Sequence, residues 1–198
     1  MIKNEYSFLD KVKLALYLCR TKAIDRRVRL FRFPITIRGR KYIDFGQRLT
    51  TGVGCRFDVY PNRLGGATLK FGNNVQINDY VHFVGMESIE IGDNVLMASH
   101  IFISDNSHGS YKCNFQDSDP RLPPTEREYV TAPVKIGNNV WIGEGVCIMP
   151  GVNIGEGCVI GAHSIVNKDI PANSLAVGSP AKVVKQFNFE TKHWVRVK

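Results

Sequence analysis

Apolar residues recur every six positions over most of this chain. From Ile136 the sequence reads IGNNVW, IGEGVC, IMPGVN, IGEGCV, IGAHSI, VNKDIP. An aliphatic residue opens each hexad: Ile136, Ile142, Ile148, Ile154, Ile160 and Val166. The fifth position is small or medium (Val140, Val146, Val152, Cys158, Ser164, Ile170), with Gly, Asn, Asp and Glu between. A period of six cannot build the single 3.6-period stripe of an amphipathic helix. It fits a short strand followed by a tight corner, with the first and fifth residues turned inward and the Gly, Asn and Asp positions supplying positive φ.

Upstream the beat runs in shorter bursts: FGQRLT, TGVGCR, FDVYPN over Phe45–Asn62; FGNNVQ, INDYVH, FVGMES over Phe71–Ser88; and IGDNVL, MASHIF, ISDNSH over Ile91–His108. Thr51 is a weak opener and Glu87 a poor inward residue. The uninterrupted runs hold three, three, three and six hexads, so every interruption follows a multiple of three. Three hexads closing one turn of a triangular prism would bring every insertion out at one vertical edge. The expected fold is therefore an all-β solenoid, a parallel β-helix of five eighteen-residue coils stacked at roughly 4.8 Å. Its body spans 42–180, with an inserted loop at 109–133. Residues 1–41 form a basic N-terminal cap, helical over 5–30, where FLDKVKLALYLCRTKAIDRRVRL mixes apolar and basic helix formers. Residues 181–198 form a short C-terminal cap, helix or strand.

Charge divides the chain in the same way. Residues 1–41 carry twelve Lys or Arg against three Asp or Glu; since the whole chain is +8, the rest sums to −1. That argues against nucleic-acid binding by the body, and leaves an anionic membrane surface or a phosphorylated ligand as partner of the N-terminal segment. Five cysteines with no CxxC pair speak against a disulfide framework or structural zinc and for a reducing, cytoplasmic setting. The LALYLC run is too short for a signal h-region or a membrane span.

Candidate chemistry gathers where the beat breaks off. His108 ends the third burst and opens a long non-repetitive insertion, Gly109 to about Thr131, of a length more often functional than accidental. A neutral imidazole there can take the proton of a hydroxyl as its oxygen attacks an acyl thioester, with polar donors receiving the oxyanion. His82, His100 and His163 share no column with His108 and read as structural or incidental. Cys55 and Cys158 fall in inward register, so no cysteine is placed as a nucleophile.

The hexads, NNVWIG, GAHSIVNKDIP, the VGSPAKVV tail and the His before a long loop resemble the hexapeptide-repeat acyltransferases. The nearest branch is the galactoside, maltose and xenobiotic O-acetyltransferases, and within it the enzymes that O-acetylate lipopolysaccharide or capsule sugars. The resemblance covers Phe45 to about Lys185. It implies a left-handed coil, a homotrimer with sites between neighbouring prisms, and acetyl-CoA as co-substrate with no metal. It also implies direct transfer without a covalent acyl-enzyme, and His108 as general base. By the same resemblance Trp141 lines the pantetheine channel, Glu144 and Ala162 offer backbone groups to that arm, and Lys168, Lys182 and Lys185 are candidate contacts for the CoA phosphates. Glu144 departs from the small polar residue usual in the family. Asn78 matches a sugar-binding Asn, whereas Met86 stands where the family has an acidic acceptor contact; Asn106 and Tyr111 are further acceptor candidates. The implied acceptor is a lipopolysaccharide, O-antigen or related surface saccharide, free or lipid-linked on the inner face of the membrane. Two alternatives stand beside this: a γ-class carbonic-anhydrase-like zinc enzyme on the same solenoid, and a non-catalytic scaffold.

Overall fold

The computed structural model describes residues 6–61 and 68–197. Asn62, the last residue of the FDVYPN hexad, and residues 1–5 lie outside the described residues. Three sheets, of five, seven and six strands, are built from parallel neighbours, apart from antiparallel strands at the C-terminal end of the seven-stranded sheet. The chain visits them in strict rotation. Leu69–Phe71 joins the five-stranded sheet, Gln76–Ile77 the seven-stranded and His82–Gly85 the six-stranded. The next coil repeats this with Ile89–Ile91, Leu96–Met97 and Phe102–Ser104, and later ones with Val134–Ile136, Trp141–Ile142, Cys147–Ile148 and their successors.

The inward set matches the hexad register. Ile136, Val140, Ile142, Val146, Ile148, Val152, Ile154, Cys158 and Ile160 are all buried in one core. In the earlier coils the same positions hold phenylalanines: Phe45 meets Phe57, Phe57 stacks on Phe83 at 5.3 Å, and Phe71 lies between them. Thr51 keeps its inward place, fully buried, with its Oγ1 lacking a partner among the described residues. The corner between the five- and seven-stranded sheets is an amide ladder, in which Asn74 donates to Asn94 and Asn94 to Asn139, all three at positive φ.

The excursions after Val59, after Gly85 and after Ser104 all leave the six-stranded sheet and return to the five-stranded one, so they share one edge. Two hexads break there. Glu87 is exposed instead of inward, because the turn at Met86, Glu87 and Ser88 donates its three N–H groups, each at 2.8 Å, to the buried carboxylate of Asp105. ISDNSH is not completed: after Asp105 the chain leaves the sheet and Asn106–His108 pairs antiparallel with Tyr129–Thr131.

The ends differ from the sequence expectation in detail. Helix α1 is Phe8–Ile24 and does not run on to residue 30. Asp25 leaves helical geometry, its carboxylate receives Arg27 and Arg40, and the following Val28, Leu30 and Phe31 are buried, Phe31 against Phe45. Parallel pairing starts before the hexads do, with a Leu30–Thr50 bridge and with Thr36–Arg38 on Arg56–Val59. At the other end strand, not helix, prevails: Lys182–Asn188 and His193–Arg196 extend the seven-stranded sheet antiparallel, with Phe187 packed on Trp194.

Candidate active site

Residues 105–132 form an arm tied at its base, where Ala132 N–H donates to the Asp105 carbonyl at 2.8 Å. His108 therefore stands on the antiparallel ribbon of the arm, one step outside the prism edge, rather than in a sixth hexad position. Its side chain is exposed and lies against its cross-strand partner Tyr129, with ring centroids 4.5 Å apart. Among the described residues its ring nitrogens have no hydrogen-bond partner. The main chain beneath it is held firmly. The Tyr111 hydroxyl donates to the His108 carbonyl at 2.6 Å, and Arg127 donates to that hydroxyl at 2.8 Å while also bonding the Leu122 and Pro120 carbonyls. The arrangement leaves one base free while fixing the strand that carries it.

Two of the acceptor candidates are thereby committed elsewhere. Tyr111 is a strut under His108. The Asn106 side-chain amide donates to the Val84 carbonyl and to Asp105, which anchors the base of the arm. Each meets a nearby main-chain carbonyl, Tyr111 that of His108 and Asn106 that of Val84. Asn78 is exposed at the corner between the seven- and six-stranded sheets, away from the arm's edge. Asp105, Arg127 and Tyr129 were not singled out by the sequence. The only signal was an Asp in the third position of ISDNSH, since pairing of 106–108 with 129–131 is non-local.

Trp141 is 52% exposed on the outer surface of the seven-stranded sheet. Cross-strand register sets it in one outward column: Gln76, Leu96, Trp141, Val159, Leu175, Lys185, Arg196. An apolar stripe thus ends in two cations, of which Lys185 was expected and Arg196 was not. Ala162 lies at the adjoining corner, and Lys182, paired with Val177, is on the next strand out on that side. Lys168 follows Ile165–Val166 of the six-stranded sheet and lies at the arm's edge instead. The Glu144 side chain is engaged: it accepts from Ser99 N–H and contacts His100 Nδ1, each at 2.8 Å. These bonds, His100's first, hold its carboxyl below the usual range.

His100 and His163 occupy the same positive-φ corner as Tyr80. His100 stacks on Tyr80, and the His163 ring lies over Gly145, where a Cβ would come within 2.5 Å of it. His82 bonds the buried Asp58. All three are thus built into the framework. Burial pushes the Cys55 thiol up to about 11 and raises Cys158, which removes both as nucleophiles. Among the described residues no three His, Cys, Asp or Glu side chains form a group able to hold a metal ion.

The chain matches a known acetyltransferase over nearly its whole length and belongs to the hexapeptide-repeat acetyltransferases; it is an acyltransferase. The bacterial transferase hexapeptide (six repeats) family matches residues 133–168. The chain is 41% identical over 193 residues to WbbJ of Escherichia coli (strain K12), named as a candidate lipopolysaccharide biosynthesis O-acetyl transferase, covering 98% of this chain and 96% of that one. Among solved structures it is similar to galactoside acetyltransferase in complex with coenzyme A, with TM-score 0.58, 28% identity, and 95% and 86% of the two chains covered. It is also similar to a maltose O-acetyltransferase from Clostridium difficile 630, with TM-score 0.57, 30% identity, and 88% of each chain.

Proposed function

We propose that this protein is an acetyl-CoA-dependent O-acetyltransferase acting on a sugar hydroxyl of a lipopolysaccharide, O-antigen or related surface-saccharide precursor. The coil is left-handed, and the working unit is a homotrimer with sites between chains. One observation carries the reading. The arm that presents His108 leaves at the edge between the six- and five-stranded sheets, the one edge that the seven-stranded sheet bearing Trp141 does not share. A site that uses both needs His108 from one chain and the Trp141 column from the next. The family, the coenzyme A bound by the galactoside relative and the name of the WbbJ relative support the same reading.

In this site the Trp141 indole and the apolar residues of its column wall the pantetheine arm, while Lys185, Lys182 and Arg196 face the phosphates. Backbone groups at Glu144 and Ala162 receive the arm's amides, and Asn78 orients the acceptor. His108 accepts the proton of the sugar hydroxyl as its oxygen bonds to the thioester carbon. The C–S bond then breaks, and the imidazolium returns the proton to the leaving sulfur. No residue is acylated. The basic N-terminal segment keeps the enzyme near a lipid-linked acceptor on the inner membrane face.

The test is kinetic. His108→Ala should lower acetyl transfer by roughly two to four orders of magnitude, the usual worth of a general base. Its melting temperature should match wild type, because the side chain is exposed. His163→Ala, exposed as well but at positive φ with its ring over Gly145, places a residue poorly suited to that backbone and loses the ring contact, so it should lower the melting temperature and retain most turnover. His108→Ala that keeps most of its transfer to a confirmed acceptor sinks the mechanism.

A further inference from the structure

Helix α1 is apolar on two opposite sides, and only one of them is used. Toward the body, Tyr17 donates to the Phe33 carbonyl at 2.7 Å, Thr21 Oγ1 receives Phe31 N–H at 2.9 Å, and Ile24 packs on the core. On the far side Phe8, Val12, Leu16, Cys19 and Ala23 recur at intervals of four, four, three and four, which puts them in one stripe. Leu9 lies beside it. Among the described residues nothing covers this stripe: Phe8 is 78% exposed, Leu9 76% and Leu16 60%. The helix is sound despite that cost. Ser7 and Asp10 form a capping box at its start, and its seventeen residues give a ledge about 25 Å long.

Charge selects what lies on the ledge. Lys11 borders the stripe on one side and Lys13 on the other, by helical spacing, while Lys22 donates to the Val28 carbonyl at 2.6 Å and Arg20 lies over the Phe33 ring, so both of those serve the body. Asp10, the helix's one carboxylate, is taken by Ser7. A second copy of this chain would bring an equally basic segment against this one, which is unfavourable. An anionic bilayer fits both features. Aromatic and aliphatic side chains enter the boundary between headgroups and acyl chains, while lysine and arginine reach the phosphates from the rim.

We infer that α1 is a monotopic docking helix, with Phe8, Leu9, Val12 and Leu16 seated in the interface of an anionic membrane and Lys11 and Lys13 on its headgroups. This deepens the membrane part of the proposed function, and it gives the helix two jobs: its inner side completes the fold and its outer side holds the enzyme at a lipid surface.

The experiment is co-sedimentation of the full chain with vesicles of phosphatidylcholine, with and without phosphatidylglycerol. Wild type should pellet with the anionic vesicles and bind neutral ones at least about tenfold more weakly. Phe8→Ser/Leu9→Ser/Leu16→Ser should lose at least about tenfold in binding with an unchanged melting temperature, since these side chains are largely exposed. The Lys11→Gln/Lys13→Gln variant should lose most of the preference for anionic vesicles. Wild type left in the supernatant at low salt, or a triple-serine variant that pellets like wild type, overturns the inference. A triple-serine variant of reduced oligomeric mass also overturns it, because a second copy would then be what covers the stripe. Vesicle binding without any acetyl transfer supports the docking helix and counts against the catalytic reading alone.

Discussion

Two residues show how local chemistry is divided between framework and function. His108 has an aromatic neighbour and a pinned backbone but no partner for its ring nitrogens among the described residues. Glu144 is the reverse, with its carboxylate tied to Ser99 and His100 of the coil below. That tie has a pH signature. The folded-state pKa of Glu144 is depressed, chiefly by the His100 hydrogen bond and then by Ser99 N–H, with His163 a minor contributor. A depressed carboxylate stabilises the fold above its unfolded pKa, near 4.5, and the contribution is lost as pH falls through the lower folded value. Glu144→Gln should therefore melt below wild type at neutral pH, and the two should converge in acid. A gap that persists unchanged below the folded value contradicts this role. The sequence showed only that Glu144 departs from the family's usual residue, because its partners sit one coil, and 44 to 45 residues, away.

At the scale of elements, the arm depends on a single buried carboxylate. Asp105 is fully buried and takes the three N–H groups of the 86–88 turn, while Asn106 reaches back to it. Asp105→Ala would leave those donors without an acceptor, at about 1–3 kcal/mol for each that water does not reach. The expected result is a clear fall in melting temperature together with weaker protection of the 106–108 and 129–131 amides from hydrogen exchange. Unchanged exchange in the ribbon would show that the arm is held by other means. Strands were easy to place from the sequence, because a period of six fixes which side chain points inward, and Ile136 to Ile160 followed it without exception. The hexad ISDNSH could not be judged that way. Its first three residues obey the repeat, and its last three are claimed by partners more than twenty residues on. Helix α1 was legible as a helix, but its end at Ile24 was not, since the Asp25 cap is held by Arg27 and also by Arg40 of another element.

At the scale of the molecule, rotation through three sheets separates His108 from Trp141, the two halves of the proposed site. The regular spacing of the insertions pointed to the edge that carries His108, and NNVWIG to Trp141. That sites lie between prisms came only from the family resemblance; which sheet each strand joins is what the structure adds. The central claim is that one chain supplies the base and its neighbour the CoA wall. Co-expressing His108→Ala with Trp141→Asp chains tests it most directly, each variant being inactive alone. Random assembly of trimers from equal amounts should return activity at about a quarter of the sites, those pairing an intact His108 with an intact neighbouring Trp141. Acetyl transfer by the mixture that stays at the level of the separate variants, while mass measurements show mixed trimers of the 22.2 kDa chain, would place both residues in one chain and contradict the account.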